Sequence, residues 1–179
     1  MQALKYPPDL TTERLLLRPF TLADASRVQR LAGDRAIAQY TLNIPHPYEH
    51  GMAEEWIASH PEAFLAGRSA TFAITLASER LLIGAISLAF SERHQRAEMG
   101  YWVGVPYWGR GYCTEAARAV LRYGFVDRDL HKIVASHLSQ NPASGRVMQK
   151  IGMRQEGYLR EQVYQWGEFA DLVLCGILR

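Results

Sequence analysis

One stretch narrows the fold more than any other: "GYWVGVPYWGRGYCTEAARAVLRYGF", residues 100–125, where an apolar run gives way to a turn holding Gly109 and Gly111 and then to a helical pattern. Ala117, Val120, Leu121, Gly124 and Phe125 recur at the spacing of one helix face, while Arg118 and Arg122 fall on the other. That pattern predicts an amphipathic helix from Thr114 to about Asp127, packed on a sheet and starting where a strand ends. The first turn of a helix leaves backbone N–H groups without partners and carries a partial positive charge, so it attracts an anion without needing a lysine. Glycine at 109 and 111 permits positive φ and lets a ligand approach the main chain closely. A phosphate is the expected occupant.

The rest of the chain supplies the sheet. "ERLLLRPF" (13–20) reads as a strand closed by a proline. "TLADASRVQRLAGD" reads as a helix with Leu22, Ala25, Val28, Leu31 and Ala32 on one face, Thr21 as N-cap and Gly33 near its end. The loop "QYTLNIPHPYEHG" leads into a second helix around "MAEEWIASHPEAFLAG". "ATFAITL", "LLIGAISLAF" and "AEMGYWVGV" predict an antiparallel meander. After the glycine turn and its helix come "KIVASHL" as a strand, "ASGRVMQKIG" as a short helix, and a closing hairpin of "REQVYQW" and "DLVLCGIL" around Gly167. The expected order is β-α-α-β-β-β-α-β-α-β-β, an α/β (α+β) fold on a central, mostly antiparallel sheet. A length of 179 residues fits a single domain, 1–179, able to bury on the order of 70% of its unfolded surface without disulfides.

Twenty basic and eighteen acidic residues leave a formal charge of +2 with no basic stripe, which argues against nucleic acid as a partner. Neither a leader pattern nor a long apolar run is present, so neither a signal peptide nor a membrane span is expected, and the expected compartment is the cytoplasm. Cys113 and Cys175 are expected to be free thiols, Cys175 within "LVLCGIL" as a core residue. His46 and His50 flank Pro47 without a third ligand at a suitable spacing, so no metal is expected.

Three phosphate motifs compete for the glycine turn. A P-loop requires G-x-x-x-x-G-K-[ST], which is absent. A dinucleotide fingerprint fails because Thr114 stands at its third glycine, and "KIVASHL" is followed by Ser139 and Gln140 where that motif needs an acid. The remaining pattern belongs to a larger set. "TERLLLRPF", "AEMGYWVGVPYWGRGYCTEAARAVLRYGF", "HKIVASHLSQNPASGRVMQKIGMRQEGYLR" and "GEFADLVLCGIL" resemble, in order and spacing, the GNAT superfamily of N-acetyltransferases, in the branch of the RimJ/RimL-type ribosomal-protein enzymes.

The resemblance implies a GNAT acyl-CoA N-acyltransferase fold with a splayed strand pair, acetyl-CoA as co-substrate and no metal. It implies a primary amine as acceptor, an α-amine of a protein N-terminus or of a small molecule. Trp108, Gly109, Arg110, Gly111, Tyr112, Cys113 and Thr114 would hold the pyrophosphate, backbone groups near Val103 and Val105 would pair with pantetheine, and Asn141 would bond a pantetheine amide. Trp108 stands where the superfamily commonly has Gln or Arg, and Cys113 where it has Ala or Gly. Cys113 reads either as a small residue that fits or as a thiol whose pKa is lowered at a helix N-terminus.

Acetyl transfer needs a neutral amine, donors for the oxyanion and a proton for the leaving thiolate. Glu98 is the candidate base, acting through a water; its other reading is a solvated strand end. Many members of the superfamily carry a tyrosine four residues beyond the Asn141–Ser144 segment, but Met148 occupies that place and leaves Ser144 as the donor near sulfur, unless it only caps a helix. Tyr40, Tyr48, Trp56, Tyr164 and Trp166 are candidates to wall an acceptor groove, or else pack. A second reading of the whole is a non-catalytic acyl-CoA-binding or regulatory module that has lost its chemistry. Monomer and homodimer both accord with the resemblance.

Overall fold

The computed structural model describes residues 5–179. In chain order its elements are β1 (Leu10–Thr11), β2 (Leu15–Arg18), α1 (Ala25–Ala32), α2 (Arg35–Ala38), α3 (Met52–Leu65), β3 (Ser69–Leu76), β4 (Leu81–Ser91), β5 (Arg96–Val103), α4 (Tyr112–Arg122), β6 (Lys132–Leu138), α5 (Pro142–Lys150), β7 (Arg154–Gln165) and β8 (Glu168–Leu178). The strands form one eight-stranded sheet in the order β1-β2-β3-β4-β5-β6-β8-β7. Neighbours run antiparallel except β5 and β6, which run parallel. The order matches the expected one with β1 and α2 added, both too short for periodicity to reveal. Helix α4 begins at Tyr112, ahead of the expected Thr114, because Gly111 serves as its N-cap.

Helices cover both faces. Against one face α4 sets Ala116, Ala117, Val120 and Leu121 upon Phe72, Ile86, Leu88, Met99 and Ile133. Each large apolar side chain buried in this way contributes about 1.5–3 kcal/mol. Gly124 continues the helix face because its missing Cβ leaves room for Ile133 Cδ1, which would lie 2.6 Å from a side chain there. On the opposite face α1 and α3 place Val28, Ala32, Ala53 and Ile57 on Phe20, Ala73 and Ala85. Arg18 closes β2 onto this layer through a two-toothed ion pair with the buried Asp24, both contacts at 2.8 Å. The Asp24 carboxyl lies below its ordinary pKa; burial, which raises it, is outweighed by the bonds from Arg18 and Thr21.

Candidate active site

Strands β5 and β6 pair only at Arg96↔Lys132, Ala97↔Ile133 and Glu98↔Val134. Beyond those rungs each follows its outer neighbour, β5 staying on β4 to Val103↔Gly84 and β6 on β8 to Leu138↔Leu172. The inner edges, 99–103 and 135–138, therefore diverge across an opening without a ladder between them. The Gly104 N–H donates to Ile83 O on β4 at 2.8 Å. Alternation along the strand then turns the main chain of Tyr101 and Val103 toward the opening. An extended ligand with its own amides can bond to such an edge as an added strand does.

At the mouth of the opening, Val105 lies past the end of β5, in a 3₁₀ turn Val105–Tyr107 whose Pro106 has no N–H. The Trp108 indole N–H donates to the Val103 carbonyl, leaving the Val103 N–H as that residue's free group, and the Trp108 N–H is itself spent on Val105 O at 3.2 Å. The indole thus braces the turn, and Trp108 offers a ligand no main-chain amide.

The glycine turn follows. Gly109 (φ +73°) and Gly111 (φ +80°) both occupy the left-handed region, and Gly111 caps α4 with no side chain in support. Among the described residues, no acceptor meets the N–H groups from Gly109 to Thr114; the ladder starts with Glu115 N–H to Gly111 O at 3.1 Å. A residue that spacing could not reveal fixes this turn. Arg14 donates from Nε to Glu115 at 2.7 Å and from Nη1 to the Arg110 carbonyl at 3.0 Å, and it lies 4.7 Å from the Tyr112 ring centre. Thr12 Oγ1 donates to the same carboxylate at 2.6 Å. These bonds hold the Glu115 carboxyl below its ordinary pKa against the opposing effect of burial, and they leave a cation beside the free amides.

On the far side of the opening, Asn141 caps α5, its Oδ1 accepting from Ser144 N–H at 3.2 Å. Ser144 Oγ lies 2.9 Å from the Tyr101 hydroxyl, which also reaches the Ser144 carbonyl at 3.2 Å. Burial raises the Tyr101 pKa well above that of an ordinary phenol, with Cys113 adding to the effect and the Ser144 bond opposing it. Met148, where a tyrosine was the family expectation, is buried in the core with 1% of its surface exposed. Cys113 is half-buried against the core, and burial pushes its thiol up to about 12, which favours the reading of a small residue that fits over that of a lowered pKa. Glu98 occupies the last shared rung, exposed, on the sheet face opposite Met99 and Tyr101. Ser144, Asn141 and Tyr101 therefore come together, while Glu98 approaches the same opening from the other face.

Residues 14–154 match the acetyltransferase (GNAT) domain family. The chain belongs to the GNAT acetyltransferase family. The uncharacterized N-acetyltransferase YnaD of Bacillus subtilis is 33% identical over 94% of this chain and 96% of its own length. The [ribosomal protein uS5]-alanine N-acetyltransferase of Escherichia coli is 27% identical over 94% of this chain and 89% of its own. The solved structure of Mycobacterium smegmatis RimJ in complex with CoA-disulfide superposes with a TM-score of 0.86 at 23% identity, covering 97% of this chain and 88% of that one, a likeness of fold. The protein is thus an acetyl-CoA-dependent N-acetyltransferase, and the non-catalytic alternative falls away.

In this GNAT enzyme the aromatic residues divide. Tyr48 and Trp56 pack on the α1/α3 layer, Trp56 edge-on to Phe20 at 5.0 Å, and Tyr48 also borders an open groove. Tyr40, Tyr164 and Trp166 remain exposed. The tip of the β7–β8 hairpin docks on the end of α2 and the segment after it, Gln165 Nε2 donating to Ala38 O at 3.1 Å and Thr41 O at 2.7 Å. Trp166 rests 5.7 Å from His46 there. An open polar groove of 540 Å³ between α1 and Pro47 contains no residue of the glycine turn or the opening. Among the described residues, no group of three His, Cys, Asp or Glu side chains converges as a metal site would, and no helix is long and apolar enough to cross a membrane.

Proposed function

We propose that this enzyme transfers the acetyl group of acetyl-CoA to an α-amine, that of a protein N-terminus or of a small molecule. The observation that carries the reading is the opening between β5 and β6, whose free main-chain edge leads directly to the unpartnered amides of Gly109–Thr114. Pantetheine pairs with the Val103 N–H, Asn141 bonds one of its amides through the side-chain nitrogen that capping leaves free, and the pyrophosphate sits on the α4 N-terminus beside Arg14 and Arg110. The amine enters from the Glu98 face, where the carboxylate takes its proton through a water, and the sulfur leaves on the Ser144 face.

The nature of the base supports an α-amine. A lysine with pKa near ~10.4 is uncharged in about one molecule per thousand at neutral pH, an α-amine near ~8 in about one in ten. An exposed carboxylate acting through water suits the second, and a relative acts on a ribosomal-protein alanine. The test is thiol release from acetyl-CoA with a panel of peptides differing in N-terminal residue, the same peptides with blocked N-termini and a free lysine, and polyamines. Unblocked peptides or small α-amines should be turned over, and Glu98→Gln should lower kcat by about 10²–10⁴ with coenzyme A binding intact. Preference for the blocked, lysine-bearing peptides or for polyamines would refute the acceptor; unchanged kcat in the Gln variant would refute the base.

A further inference from the structure

Tyr101 stands beyond the last rung shared by β5 and β6, at Glu98↔Val134, on the stretch where the two strands have parted. Its hydroxyl meets the helix that follows the opposite arm, 2.9 Å from Ser144 Oγ and 3.2 Å from Ser144 O. Asn141 already holds the Ser144 N–H. The serine is thus gripped at its amide by one side chain and at its hydroxyl by another; the carbonyl can only accept, so the phenol points its hydrogen at Ser144, within reach of both Ser144 O and the nearer Ser144 Oγ, and the hydrogen not committed by geometry is that of the serine. A phenol is a better donor than an aliphatic hydroxyl, and serine can accept on Oγ while donating elsewhere.

We infer that Tyr101 is a positioning residue: it donates to Ser144 Oγ and thereby turns the serine's own hydrogen into the opening, toward the sulfur of bound coenzyme A. The inference rests on the reading of Ser144 as the group that meets the leaving sulfur. In the transfer the amine nitrogen bonds to the thioester carbonyl carbon, the C–S bond breaks with its electron pair on sulfur, and the Ser144 hydrogen bond receives that charge. The proton that completes the thiol is the one the amine loses by way of Glu98. Tyr101 keeps its proton throughout, as burial favours.

The test titrates the thiol of coenzyme A bound to the whole protein, followed by thiolate ultraviolet absorbance, in the wild type, Tyr101→Phe, Ser144→Ala and the double variant. The phenylalanine variant keeps the ring and its packing, and the coenzyme-induced rise in melting temperature checks that each variant still binds. Ser144→Ala should raise the bound thiol pKa by about one unit, a tenfold change in the thiolate-to-thiol ratio. Tyr101→Phe should raise it by part of that, a roughly two- to fivefold change, and the double variant should match Ser144→Ala alone. A thiol pKa unmoved or lowered by Tyr101→Phe would show that the phenol accepts from the serine or ignores it, and an effect that persists in the alanine background would show that it acts elsewhere; either overturns the inference while leaving Ser144 in place. If Ser144→Ala leaves the thiol unmoved, the reading of Ser144 fails first and the role of Tyr101 with it.

Discussion

Replacing Gly111 by valine should weaken the free protein modestly and remove most of its response to coenzyme A. Gly111 holds φ +80°, and a Cβ there would meet only Arg14 Nη2 at 3.5 Å, an ordinary contact. The expense of the variant is therefore conformational, about 1–2 kcal/mol for a side chain forced into the left-handed region. At ~2–4 °C per kcal/mol for a chain of this size, the free melting temperature should fall by about 2–8 °C. Coenzyme A at a hundred times its dissociation constant adds ~2.7 kcal/mol to the wild type, a rise of about 5–10 °C. In the variant the relaxed turn no longer aims its amides together, and the side chain stands where the phosphates would, so the rise should shrink below ~2 °C. Differential scanning fluorimetry with and without the coenzyme measures both quantities. Gly51→Val supplies the control: Gly51 caps α3 at φ +92° with nothing within 4 Å of a built Cβ, so it carries the same strain far from the turn and should keep the full rise. A Gly111→Val protein that still rises as far as the wild type would refute the placement of the pyrophosphate.

Two further outcomes follow from ion pairs and burial. Arg14→Leu removes the bond to the Arg110 carbonyl and the partner of Glu115, and since Arg14 is partly exposed the loss should be about 1 kcal/mol, a fall of ~2–4 °C in melting temperature, with KM for acetyl-CoA raised several-fold and kcat nearly unchanged in steady-state assays; an unchanged KM would refute the clamp. Neither ring nitrogen of His60 has a partner among the described residues, its ring lies 4.5 Å from that of Trp56, and burial pushes its pKa from 6.5 down to about 4. Between those values the unfolded chain binds the proton that the folded chain refuses, so stability holds above about pH 6.5 and falls as the pH drops toward about 4. At about pH 5 the penalty is ~2 kcal/mol, nearer ~1.5 after allowance for partial solvent access, or about 3–6 °C. His60→Phe keeps the ring contacts and should lose that much less between about pH 7.5 and about pH 5 in thermal melts; equal acid losses in the two proteins would refute the account.

Local pattern carried much of this fold. The spacing of Ala117, Val120 and Leu121 foretold the buried face of α4, and Gly109 and Gly111, read as positions free to take positive φ, both do so. Contacts between distant segments left no such trace. Arg14 and Glu115 meet across 101 positions, and each alone reads as a solvated charge. The Trp108 indole reads as a departure from a motif until its bond to the Val103 carbonyl shows why a large donor occupies that place.

The parting of β5 from β6 was implied by the family resemblance alone and left no mark in the local pattern, because each strand keeps a full partner on its outer side and so retains the apolar pattern of a paired strand to its end. The position of the last rung nevertheless sets the geometry on which the proposed chemistry rests. With Glu98 on that rung, the main chain opens at Met99, and the alternation of side chains sends Glu98 to one face and Tyr101 to the other. A parting one residue later would leave the carboxylate inside the paired sheet, one rung away from the gap. In the proposed mechanism, base and sulfur-side donor serve one thioester from opposite faces because the ladder ends where it does, so a proline or bulge that shifted this rung should impair transfer even with every named side chain intact.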